Sequence, residues 1–330
     1  MKLFWTAVLM TALTLTAGAQ TIKFATLAPE GSTYLKIMRE LDAEIRQRTN
    51  GEVKFKIYPG GVQGEEKDVV RKLRFGQLHG AGFTGVGLGE IMPEIRVLEL
   101  PMLFRSYDEV DYVTRQLYDE FQSRFEEEGY IILGWADVGF AHVFSQKPIL
   151  SIGDLRATKM WMWEGDPVAE ATFKALNVNA TPLALTDVMT SLQTGLIEAV
   201  YTPALPCVTL QWYTRVNTMM DLPLANVSGA VLVSKKMFDK LSPDHQQILL
   251  EQGRIYMKKL VAQAREDNDS SIELMKKNGM KVVDVPEAAR KEFFDAATRA
   301  HTDLVGKLYS QTLLDRVKGA LETFRAENPQ

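Results

Sequence analysis

The sequence predicts an α/β protein of two lobes joined by a long helix, and three observations carry that expectation. Short strands with alternating apolar residues lie between helical segments in 22–75, in the order β-α-β-α. The same alternation returns in 159–203 as a strand at 159–163, a helix at 167–176, a Thr-Pro turn, a helix started by Thr186-Asp187 and a strand ending at Pro203. Finally, 242–277 keeps a helical apolar stripe. At 1.5 Å per residue it reaches roughly 54 Å, longer than one small domain is wide, so it spans both lobes and builds each lobe from separate pieces of chain.

The elements follow in order. Lys2, an apolar run to about Leu15 and Ala17-Gly18-Ala19 read as an export signal, 1–19, cleaved near Ala19. That run is shorter than the roughly 20 residues of a membrane span, and no cysteine stands beside the cleavage site to carry a lipid. Segment 22–27 alternates as a half-buried strand; Ser32 caps a helix with Leu35, Met38, Leu41 and Ile45 on one face, and Asn50-Gly51 ends it. Val53, Phe55 and Ile57 form the next strand, Pro59-Gly60-Gly61 a turn and 65–75 a helix. Such alternation predicts a parallel sheet, with ligands at the carboxyl ends of its strands. Another strand occupies 130–144, and the Pro-ending stretch 145–148 is a crossover. The first lobe is therefore expected over 20–146 plus about 232–265, the second over 147–231 plus about 266–330. In the long helix Ser242 is the cap, Pro243 suits the first turn, and Leu249, Tyr256, Leu260, Ala264, Ile272 and Met275 keep the stripe.

Composition narrows the function. A chain of 330 residues, 46% apolar and 24% charged, has ample material for a core. Its net charge of -4 offers no basic footprint for nucleic acid. Cys207 is the only cysteine, so no internal disulfide forms. His79, His142, His245 and His301 are scattered without metal-ligand spacing, and no H-E-x-x-H or G-x-S-x-G occurs, so neither a metal nor a catalytic residue is expected. The run GAGFTG at 80–85 satisfies G-x-G-x-x-G, but its glycines sit inside a strand rather than between a strand and a helix. It reads as a strand end where missing Cβ atoms let backbone approach a ligand, not as a nucleotide site.

Several runs resemble the DctP family, the solute-binding subunits of TRAP transporters. FKALNVNATP at 173–182 is similar to the family's FKALGANPTP, and SLQTGLIEA at 191–199 to its ALQTGVVDG. LPMLF at 100–104, Gly139-Phe140 and LSPDHQQIL at 241–249 extend the likeness along most of the chain. The resemblance implies the two-lobed periplasmic solute-binding fold with a spine helix, no cofactor, a small-molecule ligand, and as partners the small and large TRAP membrane subunits.

Three departures from the family concern the ligand. Aligning KMWM at 159–162 on the family's KIRV strand puts Trp161 where relatives carry the arginine that pairs with the ligand's carboxylate. Ala141 stands where GFRH supplies another arginine, and Tyr201-Thr202-Pro203 replaces ENP. A charge-assisted carboxylate contact is worth about 1.5 to 3 kcal/mol, so an anionic ligand loses its anchors, while a tryptophan buries roughly 150 to 250 Å². A hydrophobic or neutral ligand follows. Alternation places Trp163 on the face of Trp161, either in the pocket or in core. Strand-end or loop position, with the family layout, adds Glu30, Phe83, Thr84, Phe104, Trp135, Phe140, Tyr201, Thr202 and Trp212 as ligand-binding candidates. Glu30 reads equally as an exposed charge at a helix start. Family members lacking the arginine are linked to a tetratricopeptide-repeat lipoprotein, which makes such a lipoprotein a further expected partner. Two other functions fit the same lobes: an exported sensory or scavenging receptor without transport, and an enzyme with carboxylates or a nucleophile in the cleft.

Overall fold

In β1 (Gln20–Thr26) the alternation sends Ile22 and Phe24 into the core, and β2 (Val53–Tyr58) buries Val53 and Phe55 beside them. The computed structural model describes residues 19–329; the expected export signal, apart from Ala19, lies outside the described residues. Both strands run parallel, and β3 (Gly80–Thr84) joins β1 on its other side, also parallel. The connecting helix Thr33–Arg48 is capped as expected: Ser32 Oγ accepts from Leu35 N, and Leu35, Met38, Leu41 and Ile45 are buried.

The lobes are sewn together by two long strands. The chain leaves the first lobe on β4 (Tyr130–Ser145). It builds β5 (Trp161–Trp163), β6 (Thr181–Leu183), β7 (Ala199–Thr202) and β8 (Thr218–Met220), then returns on β9 (Ala225–Ser234). Because β4 and β9 cross in opposite directions they pair antiparallel, and β9 is also antiparallel to β3. The first lobe's sheet has the order β2-β1-β3-β9-β4, while the last residues of β4 pair with β7 and β8 in the second lobe. There β10 (Lys281–Val283) adds to β8, and β5 pairs with β6, both parallel. The all-parallel sheet expected from the β-α alternation is thus replaced by a mixed one. A chain that must come back to its first lobe needs an antiparallel strand to do so.

The spine helix Pro243–Lys277 runs for 35 residues, with Ser242 Oγ accepting from His245 N at 3.3 Å. It packs on Thr33–Arg48 and β4 in the first lobe and on the helix Ala204–Thr209 in the second. Asn268 fastens the crossing: its Nδ2 donates to Val138 O at 2.8 Å, its Oδ1 accepts from Leu205 N at 2.9 Å, and Gly139 (φ 117°) has no Cβ to obstruct it.

The lobe boundaries differ from the expected ones. Strand β9 belongs to the first lobe's sheet from Ala225 onward. After Glu287–Asp303 packs on the second lobe's Pro167–Leu176, the last helix, Gln311–Glu327, returns to Tyr107–Arg115 in the first. Leu313, Leu314, Val317 and Leu321 meet Val110 and Val113 there, and Arg325 Nε bonds Glu109 at 2.7 Å. An apolar stripe signals that a helix is covered, but not by which lobe.

Candidate functional site

The lobes enclose a cavity of about 290 Å³. Its first-lobe wall is rich in polar groups. Glu66 opens the helix Glu66–Arg74, and its carboxylate accepts from Thr84 N (2.7 Å), Thr84 Oγ1 (2.8 Å) and Gly87 N (2.6 Å). No Lys or Arg among the described residues forms a salt bridge with it. Burial pushes its pKa up to about 7 despite those three donors. Two buried polar groups on this wall, the Tyr34 hydroxyl and Asn226 Oδ1, have no hydrogen-bond partner.

Arg96 stands where the walls meet. Its Nη2 donates to Asp166 Oδ1 at 2.7 Å, and its Nε lies 2.9 Å from Glu99 Oε2 without hydrogen-bond geometry. Glu99 in turn accepts from Ser228 N (2.7 Å) and Ser228 Oγ (2.9 Å). All three charged side chains are under a tenth exposed. Burial raises the pKa of Glu99 and Arg96 opposes the shift; for Arg96, burial acts downward but Asp166 and Glu99 hold the pKa above its ordinary value.

The second-lobe wall is aromatic. Trp161 is 1% exposed, with the Tyr201 ring stacked at 5.1 Å, Trp163 at 6.1 Å and Trp212 edge-on at 5.4 Å. Its Nε1 donates to Leu183 O at 3.1 Å, so only a ring face is left for a ligand. Trp163 Nε1 reaches across to Glu65 Oε2 at 3.1 Å, and Trp163 N donates to the Tyr201 hydroxyl at 3.1 Å. Met160, Phe173 and Leu176 complete this wall.

Of the twelve residues picked from sequence, Phe83, Thr84, Ala141, Trp161, Trp163, Tyr201 and Thr202 line the cavity. The other five do not. Glu30 is exposed and pairs with Arg39, because the chain turns outward after Pro29. Phe104 is in the first lobe's core, Trp135 stacks on Tyr118 at 4.2 Å, and Phe140 lies against Tyr107 at 5.0 Å. Trp212 forms a second layer behind Trp161.

The glycines of 80–85 also differ from expectation. A Cβ on Gly82 would meet Tyr34 Oη at 1.6 Å, one on Gly85 the Glu99 carboxylate at 2.0 Å, and one on Gly80 Leu232 O at 2.8 Å. They admit the protein's own groups rather than a ligand. Tyr34, Glu66, Arg96, Glu99, Asp166 and Asn226 were not singled out from sequence. Only Arg96 and Glu99 left a trace, as two charges inside the otherwise apolar IRVLELPML.

His142 Nδ1 is bonded to Met220 O and His301 Nε2 to Pro101 O, and the buried Cys207 thiol is pushed up by desolvation. Among the described residues no group of three or more His, Cys, Asp or Glu could hold a metal ion, and no helix is long and apolar enough to cross a membrane.

Two lobes linked by crossing strands, with a cavity walled by both, make the arrangement of a ligand-binding receptor. The profile of bacterial extracellular solute-binding protein family 7, DctP, matches residues 24–307, and the chain belongs to that family, whose members are solute receptors and not enzymes. A solute-binding protein of Verminephrobacter eiseniae is 27% identical over 310 residues, 92% of this chain and 91% of that one. The 2,3-diketo-L-gulonate-binding periplasmic protein YiaO of Escherichia coli is 26% identical, covering 88% of each. A TRAP periplasmic solute-binding protein from Ralstonia eutropha, solved with bound (S)-2-acetolactate, superposes with a TM-score of 0.86 at 21% identity, covering 92% of this chain and 99% of that one.

Proposed function

We propose that the protein is the extracytoplasmic receptor of a TRAP transporter and that its ligand is neutral and largely apolar. One observation carries the ligand class. Among the described lining residues four are carboxylates, Glu66, Glu99, Asp137 and Asp166, and one is a cation, Arg96. Arg96 is engaged by two of those carboxylates, while Arg265, which balances Asp137 at 2.9 Å, is not on the wall. A buried anion without a partner costs several kcal/mol, so an acidic ligand has no favourable place. Two of the relatives named above, the 2,3-diketo-L-gulonate-binding protein and the receptor solved with (S)-2-acetolactate, bind acids, so on this reading the protein diverges from them in ligand charge. Trp161, Trp163, Tyr201, Thr202, Ala141, Phe83 and Thr84 are the contacts proposed from both lobes, and two unpartnered groups, the Tyr34 hydroxyl, which donates or accepts, and Asn226 Oδ1, which accepts, suit a hydroxyl or amide group on the ligand.

The receptor is exported to the periplasm with cleavage near Ala19, closes on its ligand, and delivers it to the TRAP membrane subunits; a tetratricopeptide-repeat lipoprotein is a further proposed partner. Mass spectrometry of small molecules released from the purified protein tests the ligand class, and recovery of a stoichiometric carboxylate overturns it. Trp161→Ala is expected to act twice, because this ring is both wall and core. Affinity for the released compound should fall by roughly 2 to 4 kcal/mol, and unfolding stability by about 3 to 5 kcal/mol.

A further inference from the structure

We infer that Asp166 is the specificity residue that denies the cavity to anions, by holding the guanidinium of Arg96 from the opposite lobe. The proposal rests on the neutral-ligand reading and names the group responsible for it.

Arginine is the side chain best shaped for a ligand carboxylate, since its planar fork offers parallel donors and stays charged when buried. A buried arginine on a ligand cavity is therefore ordinarily an anion site. Here its Nη2 already donates to Asp166 Oδ1 at 2.7 Å, and its Nε faces Glu99 at 2.9 Å. Glu99 is a fixture of the first lobe, tied by two hydrogen bonds to Ser228 beside it in the fold. Asp166 comes from the second lobe, so closure itself brings this carboxylate to Arg96.

The sequence holds Asp166 ready for that role. It is the N-cap of Pro167–Leu176, its Oδ1 accepting from Val168 N at 2.9 Å, which fixes the carboxylate at the start of that helix. The three charges sum to one negative, so a ligand carboxylate arriving beside them meets net repulsion instead of a free cation. Asp166 thus takes up a donor of Arg96 that a ligand carboxylate could otherwise use.

The test uses the full mature chain, with (S)-2-acetolactate and 2,3-diketo-L-gulonate as anionic probes and a neutral methyl ester of acetolactate as control, followed by calorimetry. Asp166→Asn removes the charge and keeps a good helix cap. The unaltered protein is expected to bind neither anion at millimolar concentration. The variant should gain roughly 10- to 100-fold in affinity for at least one of them, with no gain for the ester. Arg96→Gln added to Asp166→Asn should abolish the gain. If the Asn variant unfolds, Asp166→Ser, which also caps, replaces it. A folded variant that keeps the compound co-purifying with the unaltered protein, yet still ignores both anions, overturns the role of Asp166 and leaves the neutral-ligand reading standing. Tight anion binding by the unaltered protein overturns both.

Discussion

The two walls of the cavity use polar atoms in opposite ways. On the second lobe, the indole N–H groups are spent within the protein, Trp161 Nε1 on Leu183 O and Trp163 Nε1 on Glu65, and the Tyr201 hydroxyl oxygen accepts from Trp163 N. On the first lobe, Tyr34 Oη, Arg96 Nε and Asn226 Oδ1 are buried without a hydrogen-bond partner. One wall therefore offers area and the other offers unpartnered polar atoms. The difference teaches that ring surface supplies grip without direction, whereas orphaned polar atoms cost stability until a ligand partner meets them.

The largest test of the comparison removes the cation at the seam. Arg96→Met leaves Glu99 and Asp166 buried without their partner, and urea unfolding should show a loss of about 3 to 5 kcal/mol. A loss below about 1 kcal/mol would mean that the walls are not joined by this pair. Much of that stability is beyond what sequence can reveal, since Arg96 and Asp166 are 70 residues apart and meet only in the folded structure.

Next in size is the titration of Glu66. Its folded pKa, about 7, lies above the ordinary 4.5, so the folded state binds the extra proton between those limits. This group's contribution is therefore fully present below about pH 4.5 and is lost as pH rises through about 7, a change of about 3 kcal/mol. Glu66→Gln should flatten that part of the stability curve, as read from melting temperature against pH in parallel with the unaltered protein. An identical slope in both proteins would place the titration elsewhere.

The smallest effect is expected at Tyr34. Its hydroxyl is buried without a partner, so Tyr34→Phe should leave stability unchanged or raise it by about 1 kcal/mol, while weakening a ligand that donates to it. A clear destabilisation with unaltered affinity would show the hydroxyl to be part of the core.

The sequence by itself determined the local elements and much of one wall. Period-2 alternation, apolar helical stripes and the Ser32 and Ser242 caps are neighbour relations written along the chain, so β1, β2, Pro167–Leu176 and the spine helix were legible. The aromatic wall was legible for the same reason: Trp161 and Trp163 share a face of one strand, and Tyr201-Thr202 end another. Only the tertiary structure decided which rings face the cavity, for Trp135, Phe140 and Trp212 have the same chemistry and pack elsewhere. It alone returned β9 and the last helix to the first lobe. It alone also assembled the polar wall, because Glu66 with Thr84, Arg96 with Asp166 and Glu99 with Ser228 join residues 18, 70 and 129 positions apart. Charge pairing depends on distance in space, and over such separations the chain places no constraint on that distance until the lobes have folded and met.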